Sequence, residues 1–313
     1  MRSICRTVYG SALQVARSLS IPHVIPNNAT LNQYVLDINQ YGMTADVTSI
    51  QPRLVTPNVA VYSLQSYVDI DDTPNMRTQY LAIGNRGHRN FTAADQNSPP
   101  YTGPIPHMAR HSGLYGQVPF VMRLPSNDLT ASERSNYRHR AWILVNGVRY
   151  IAYFLRRITP TNQTVDMVYN TVVNGVVTEQ QFLPTSNDLR NPTAPGNPGA
   201  PIVTTGDFLS TSALLNIIFT PAEISELLNV SRILFNNEEQ AIISEFALCH
   251  GVDKNSYHSF NGTTIDTATV IQEACGVQVS TFLTAYYPLV YSNNGLTVTL
   301  NLGAVEPLYG VAV

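Results

Sequence analysis

Lysine is almost missing from this chain: Lys254 is the sole example, against seventeen arginines. Charge of either sign is scarce as well, at 12% of 313 residues, where soluble domains usually carry about 25%. Surface that stays wet is typically rich in Lys, Glu and Asp, whereas surface buried in a partner favours Arg, Tyr and Phe. The chain has 17 Tyr and 10 Phe. GC-rich codon usage would also exchange Lys for Arg, but it would deplete Asn, and there are 27 Asn. The composition therefore points to a protein largely covered by other subunits, with an assembly role and not a reaction.

Other absences narrow the field. Cys5, Cys249 and Cys275 are odd in number and widely spaced. Without a CxxC they indicate neither a structural zinc site nor a dithiol redox motif. Buried reduced thiols are the simplest reading, and nothing argues for a Cys249–Cys275 bridge. No apolar run approaches the ~20 residues that span a bilayer. The stretch Met1–Leu19 carries Arg2, Arg6 and Arg17 and lacks the continuous apolar centre of a secretory signal. The expectation is a soluble protein made in a cytoplasm, with no membrane partner. A net charge of −3 and a pI near 6.1 supply no bulk attraction to nucleic acid.

Motifs for chemistry are also lacking. There is no GxSxG elbow, no GxxxxGK phosphate loop and no GxGxxG. Gly84-Asn-Arg-Gly-His88 resembles a phosphate-cradling loop superficially, but it lacks the Lys and hydroxyl and is better explained as a turn after a strand over Gln79–Ile83. His107 and His111 have the i, i+4 spacing of zinc ligands on a helix. No Glu lies between them, and Pro104 and Pro106 argue for an irregular loop. Asp69, Asp71 and Asp72 lack the glycine and distal glutamate of a calcium loop. Glu238-Glu239 reads as a helix N-terminus. No catalytic residue, metal or cofactor is expected.

What is present is a dominant period of two. Arg140–Leu155 contains two β-rich runs around Asn146-Gly147, the pair that a type I′ turn requires. A second hairpin is expected around Asn174-Gly175 (Val165–Val173 with Val176–Phe182), and a third around Asn294-Gly295 (Tyr286–Tyr291 with Leu296–Leu302). Asn261-Gly262 marks a weaker turn, and Asn58–Ile70 alternates like a half-buried strand. Helical spacing appears at Ile4, Val8, Ala12, Ala16 and Leu19, closed by Pro22, and again over Leu31–Ile38, where a strand over Tyr34–Ile38 also fits. Ser126–Tyr137 opens like a capped helix. Thr220-Pro-Ala-Glu223 combines N-cap, Pro at N1 and a capping box, with Ile224, Leu227 and Leu228 on the buried face. Asn237–His250 fits helix or strand. Asn191–Pro201 holds four Pro and two Gly and reads as a linker or arm. The fold class is thus α+β, β-dominated, with antiparallel hairpins and helices at the N-terminus and in the C-terminal half. The expected division is a helical segment 1–50, a β-rich domain 51–190, the linker 191–201 and an α+β domain 202–313.

Eleven of the seventeen arginines lie between Arg77 and Arg157. Arg134, Arg138, Arg140, Arg149, Arg156 and Arg157 flank the first hairpin, with Tyr150 and Tyr153 among them. Three readings stand open. One is a nucleic-acid groove, guanidiniums for phosphates and tyrosines for stacking; another is a subunit interface that forks onto a neighbour's carboxylates; the third is a solvated face with intrachain ion pairs. The negative net charge favours the interface and makes nucleic acid the weaker partner.

Four stretches together resemble virion structural proteins of tailed bacteriophages: Tyr80–His88 (YLAIGNRGH), Val118–Arg140 (VPFVMRLPSNDLTASERSNYRHR), Ile243–Asp253 (ISEFALCHGVD) and Asn301–Pro307 (NLGAVEP). The resemblance implies a neck, collar, tail or baseplate component without an active site. It would form rings of six or twelve copies and contact neighbouring virion proteins, in particles assembled in the host bacterial cytoplasm. A host-surface or glycan-binding module is the alternative, suggested by the Asn, Thr and Tyr content.

Overall fold

The computed structural model describes residues 3–18, 44–45, 77–91, 101–158, 164–183, 185, 202–257, 270–291 and 294–311. Strand Asn58–Ile70, helix Leu31–Ile38, the turn Asn261-Gly262 and the linker Asn191–Pro201 lie outside them. The architecture is β-dominated and antiparallel, as the period-two pattern requires. The chain divides into a larger unit, Met1–Thr159 with Phe219–Leu296, and a smaller one, Pro160–Ile218 with Thr297–Val313. This is not the linear division read from the sequence. Strand pairing joins segments far apart in the chain, Ser3 with Thr284 and Gly84 with Glu245, and no composition shift marks such a join.

In the larger unit a nine-stranded sheet has the order β1-β14-β13-β3-β9-β8-β2, with β6 on β3 and β7 on β9. These strands are β1 (Ser3–Arg6), β2 (Thr44–Ala45), β3 (Arg77–Gly84), β6 (Gln117–Val118), β7 (Val121–Arg123), β8 (Tyr137–Val145), β9 (Val148–Arg157), β13 (Ile242–Tyr257) and β14 (Val270–Pro288). β4 (His88–Phe91) and β5 (Tyr101–Pro104) form a separate ribbon. The core gathers Tyr80, Met122, Ile143, Phe154, Ala247 and Phe282, with Val230 and Leu234 from a helix.

The first hairpin forms as its turn demands. Val145 faces Val148, and Asn146 and Gly147 take φ of 50° and 79°. The second, β10 (Asp166–Val173) with β11 (Val176–Gln181), repeats it at Asn174 and Gly175, φ 51° and 78°. The third does not form. β14 ends at Pro288, which cannot donate to a ladder, and a 3-10 turn over Leu289–Tyr291 follows, its Leu289 N–H bound to Ala241 O at 2.8 Å. β15 (Leu296–Val311) instead joins the four-stranded sheet β11-β10-β12-β15, beside β12 (Ile202–Phe219). Gly295 (φ 92°) sits where any Cβ would lie 2.6 Å from Phe219 O, so its role is close approach to the start of a helix and not a hairpin turn.

Side-chain oxygens decide where the helices begin. α1 runs Val8–Ser18, because Thr7 Oγ1 accepts the Gly10 N–H at 3.0 Å. Ile4 falls before that cap, in β1 opposite Leu283, and is exposed, while Leu13 is buried. Ser126–Tyr137 is not one helix. Pro125–Asn127 is a 3-10 turn and α2 is a single turn, Ala131–Arg134, capped by Thr130 and Glu133. Asp128 is diverted from capping by the Leu129 N–H (2.8 Å), the Tyr153 hydroxyl (2.5 Å) and Arg134 (3.1 Å). α3, Pro221–Phe235, has the expected Thr220–Glu223 capping box and Pro at its start, with Ile224 and Leu227 buried. Residues 237–250 resolve as a short 3-10 turn, Glu238–Gln240, then strand β13, paired on both sides by β3 and β14. Over residues 243–251 both faces of β13 are buried, which is why a helical period fits the same stretch.

Thr220→Ala removes the Glu223 N–H acceptor at 3.2 Å. It is expected to cost about 1 kcal/mol, a fall of roughly 2 °C in the larger unit's Tm by calorimetry.

Candidate functional site

The β8–β9 hairpin carries the arginine-rich candidate interface, and the strand pleat sorts its side chains. Arg134, Arg138, Arg140 and Tyr153 come together along one narrow cleft with Gln272. Arg138 is 2% exposed, Arg140 5% and Tyr153 1%. These three side chains are buried in their own chain, so their assignment to a contact with a neighbouring copy is corrected to an internal role. Arg138 is the centre. Its Nε donates to Asp253 on β13 at 3.0 Å, one Nη to Gln272 on β14 at 3.0 Å, and the other to Ser135 O at 2.5 Å. The Tyr80 hydroxyl donates to the second Asp253 oxygen at 2.5 Å, and Gln79 Nε2 donates to Tyr80 at 2.8 Å. β8 is not a neighbour of β13 or β14 in the sheet order. The guanidinium therefore ties together strands that only the sheet's curvature brings close.

Arg134 and Arg156 are also held internally. Arg134 pairs with Asp128. Arg156 binds Glu223 at 2.6 Å, and its guanidinium lies 4.5 Å from the Phe219 ring centroid and 5.6 Å from that of Phe120. Arg123, outside the predicted set, grips Glu226 with both Nη groups. Tyr150 is half-buried against the core, and Arg149 and Arg157 are exposed. The intrachain reading thus describes Arg134, Arg138 and Arg156, and the outward guanidiniums of the eight are Arg149 and Arg157. Burial and the Asp128 hydrogen bond push the Tyr153 phenol upward, and burial holds Tyr137 near about 12. Both remain protonated donors at neutral pH, chemistry suited to fixing carboxylates and not to taking protons.

Sequence reasoning missed Glu245, a buried carboxyl of the larger unit. It lies on β13, 0% exposed, inside the Gly84–Gly87 turn. Its oxygens accept the Tyr115 N–H at 3.1 Å and the Gly116 N–H at 3.4 Å. A Cβ at Gly84 would lie 2.5 Å from Oε2, and one at Gly87 would lie 2.2 Å from Cγ. The turn Gly84-Asn-Arg-Gly87 is thus shaped to clasp a buried glutamate. The Gly87 N–H also donates to Ser244 Oγ at 2.9 Å. Burial raises the carboxyl to about 8, against the opposing pull of the two backbone donors and Arg86. The available signal was an acid inside the otherwise apolar run Ile242–Cys249, together with two glycines three apart.

The remaining candidates resolve simply. His107 is buried, stacked on Phe282 at 3.9 Å, with its Nδ1 3.0 Å from that of His111. Burial and the second imidazole lower His107 to about 3, so it is neutral and the rings share one hydrogen bond. Among the described residues no three His, Cys, Asp or Glu converge on a metal position. Asp69, Asp71 and Asp72 lie outside those residues. Cys5 and Cys249 are free thiols, and Cys249 faces Val279 in the ladder while Cys275 faces Val252. No helix among the described residues is long and apolar enough to cross a membrane.

Two predictions follow from these geometries. Arg138→Ala strands Asp253 and should cost about 3 kcal/mol in denaturant unfolding, whereas Arg149→Ala, on an exposed side chain, should stay within about 0.5 kcal/mol. For Glu245 the folded value, about 8, lies above the ordinary 4.5. The folded state therefore binds the extra proton between those limits, and its contribution to stability falls as pH rises from 4.5 to 8. Glu245→Gln should flatten this part of the stability profile, measured by urea unfolding at several pH values.

No curated protein and no solved structure matches the chain. A family model does: residues 58–312, which include the hairpin arginines, the Glu245 clasp and all but the last residue of the smaller unit, match the family of unknown function DUF7208, and the chain belongs to that family.

Proposed function

We propose that this chain is a non-enzymatic structural subunit of a tailed-phage virion, one copy of a ring at the head–tail connection or elsewhere in the tail. Three of the stretches that resemble such proteins meet in the larger unit. Tyr80–His88 supplies β3 and the glycine turn, and Ile243–Asp253 supplies β13, with Phe246 opposite Ile83. Val118–Arg140 supplies β7, α2 and the start of β8. They build the Arg138 network and the Glu245 clasp, which are devices for rigidity.

The observation that carries the assembly reading is the surface of the smaller unit. Of sixteen large apolar side chains exposed among the described residues, eight belong to it: Val165, Val173, Val176, Val177, Leu183, Leu214, Ile218 and Val305. Apolar exposure concentrated on one part of a molecule marks an interaction surface. A glycan platform needs exposed aromatics, and the large ones among the described residues are Tyr115 and Tyr286, which makes that alternative the weaker one.

Negative-stain electron microscopy of the purified full chain tests the proposal. The expected image is a ring with six- or twelvefold symmetry, matched by a feature of the neck or tail in intact particles. A chain that sediments as a monomer at high concentration, and is missing from disrupted particles, overturns the reading.

A further inference from the structure

The smaller unit combines its apolar exposure with a one-sided charge. By sequence it holds five acids (Asp166, Glu179, Asp188, Asp207 and Glu306) against the single base Arg190, a net charge of −4. The larger unit holds the remaining seventeen bases and sixteen acids. The β10–β11 hairpin concentrates both properties. All six residues of β11 are exposed, among the described residues it pairs on one side only, and its register with β10 runs without a bulge. The strand carries no Lys and no Pro, the devices that usually protect an edge. Val173 (60% exposed) and Val176 (66%) flank its turn, and Glu179 follows on the edge.

Such a hairpin fits a partner that offers an apolar seat and positive charge. A second smaller unit is the wrong partner, because two surfaces at −4 repel. The tip of the β8–β9 hairpin is the right kind. Val148 is 44% exposed there and the exposed Arg149 follows it. We propose that the β10–β11 hairpin of one copy docks on the Val148–Arg149 region of a second copy. The valines supply the buried contact, and the acidic flank selects the arginine-bearing surface. Donor and acceptor surfaces are different, so the contact is head-to-tail, and each added copy leaves one of each open until a ring closes. This inference rests on the ring reading above and names the contact that builds the ring.

The experiment uses the full chain in sedimentation velocity, with Val173→Asp/Val176→Asp as the hairpin variant and Arg149→Glu as the acceptor variant. All three positions are exposed, and circular dichroism checks that the fold is retained. The wild type is expected to assemble at low salt, and each variant alone to self-associate at least tenfold more weakly. Mixed together, the two variants should give a 1:1 heterodimer that grows no further, because each retains one intact surface. Wild-type-like assembly of either variant, or a mixture that forms no heterodimer, overturns the contact while leaving the ring standing. A wild type that never assembles removes the ring reading and this contact with it.

Discussion

The larger unit depends on one guanidinium placed where the sheet turns back on itself. A nine-stranded antiparallel sheet has no intrinsic reason to stop twisting at a particular curvature. Arg138 supplies one, since it must satisfy Asp253 on β13, Gln272 on β14 and the Ser135 carbonyl at once. Those partners are more than a hundred residues away along the chain, except for Ser135. A lysine could not do this. Its ammonium offers a point charge on a flexible stem, whereas the planar fork sets three donor directions rigidly. The Tyr80 hydroxyl completes Asp253 from the other side, so the buried charge is hydrogen-bonded around its edge and its desolvation is offset.

The same logic of few, fully engaged polar groups governs the Glu245 clasp, with the opposite sign. Two backbone N–H groups face Glu245, and together with the charge of Arg86 they do not outweigh the burial that raises the carboxyl. The carboxyl is therefore held mostly neutral. The glycines at 84 and 87 exist to let the turn close over it at distances no Cβ allows. Arg138 fixes curvature through charge, and Glu245 fixes the β3–β4 turn through shape and a proton. Both sit in stretches that a chemist scanning for motifs reads as phosphate loop or arginine groove.

Local chemistry was legible in the sequence wherever one short segment decides the outcome. Asn146-Gly147 and Asn174-Gly175 set their turns because positive φ is needed at both positions, and Thr220-Pro-Ala-Glu223 caps its helix with its own side chains. Legibility failed where a distant partner competes. Asn294-Gly295 has the composition of a hairpin turn, but β15 finds β12, and Gly295 serves a close approach to Phe219 O. Asp128 looks like a cap until Tyr153 and Arg134 claim it. The candidate site was legible as a cluster and not as an orientation. Spacing brings Arg138, Arg140 and Tyr153 onto one hairpin with Arg134 just before it, and only the curved sheet decides that the three hairpin side chains face inward.

That inward orientation changes what the Arg-for-Lys imbalance means. Arg123, Arg134, Arg138 and Arg156 are absorbed by acids of their own chain, so a large part of the composition follows from internal architecture and carries no information about partners. The partner signal has to be sought in what remains after those pairs are set aside. What remains is a difference in composition between the units: exposed valines and unbalanced acid in the smaller, exposed Arg149 and Arg157 in the larger. Asp207 is tied into the small sheet by the Val172 N–H and the Tyr169 hydroxyl, whereas Val173, Val176 and Glu179 are exposed. For the assembly proposed above, the distribution of valines, acids and arginines between the units therefore carries more weight than the number of arginines in the chain.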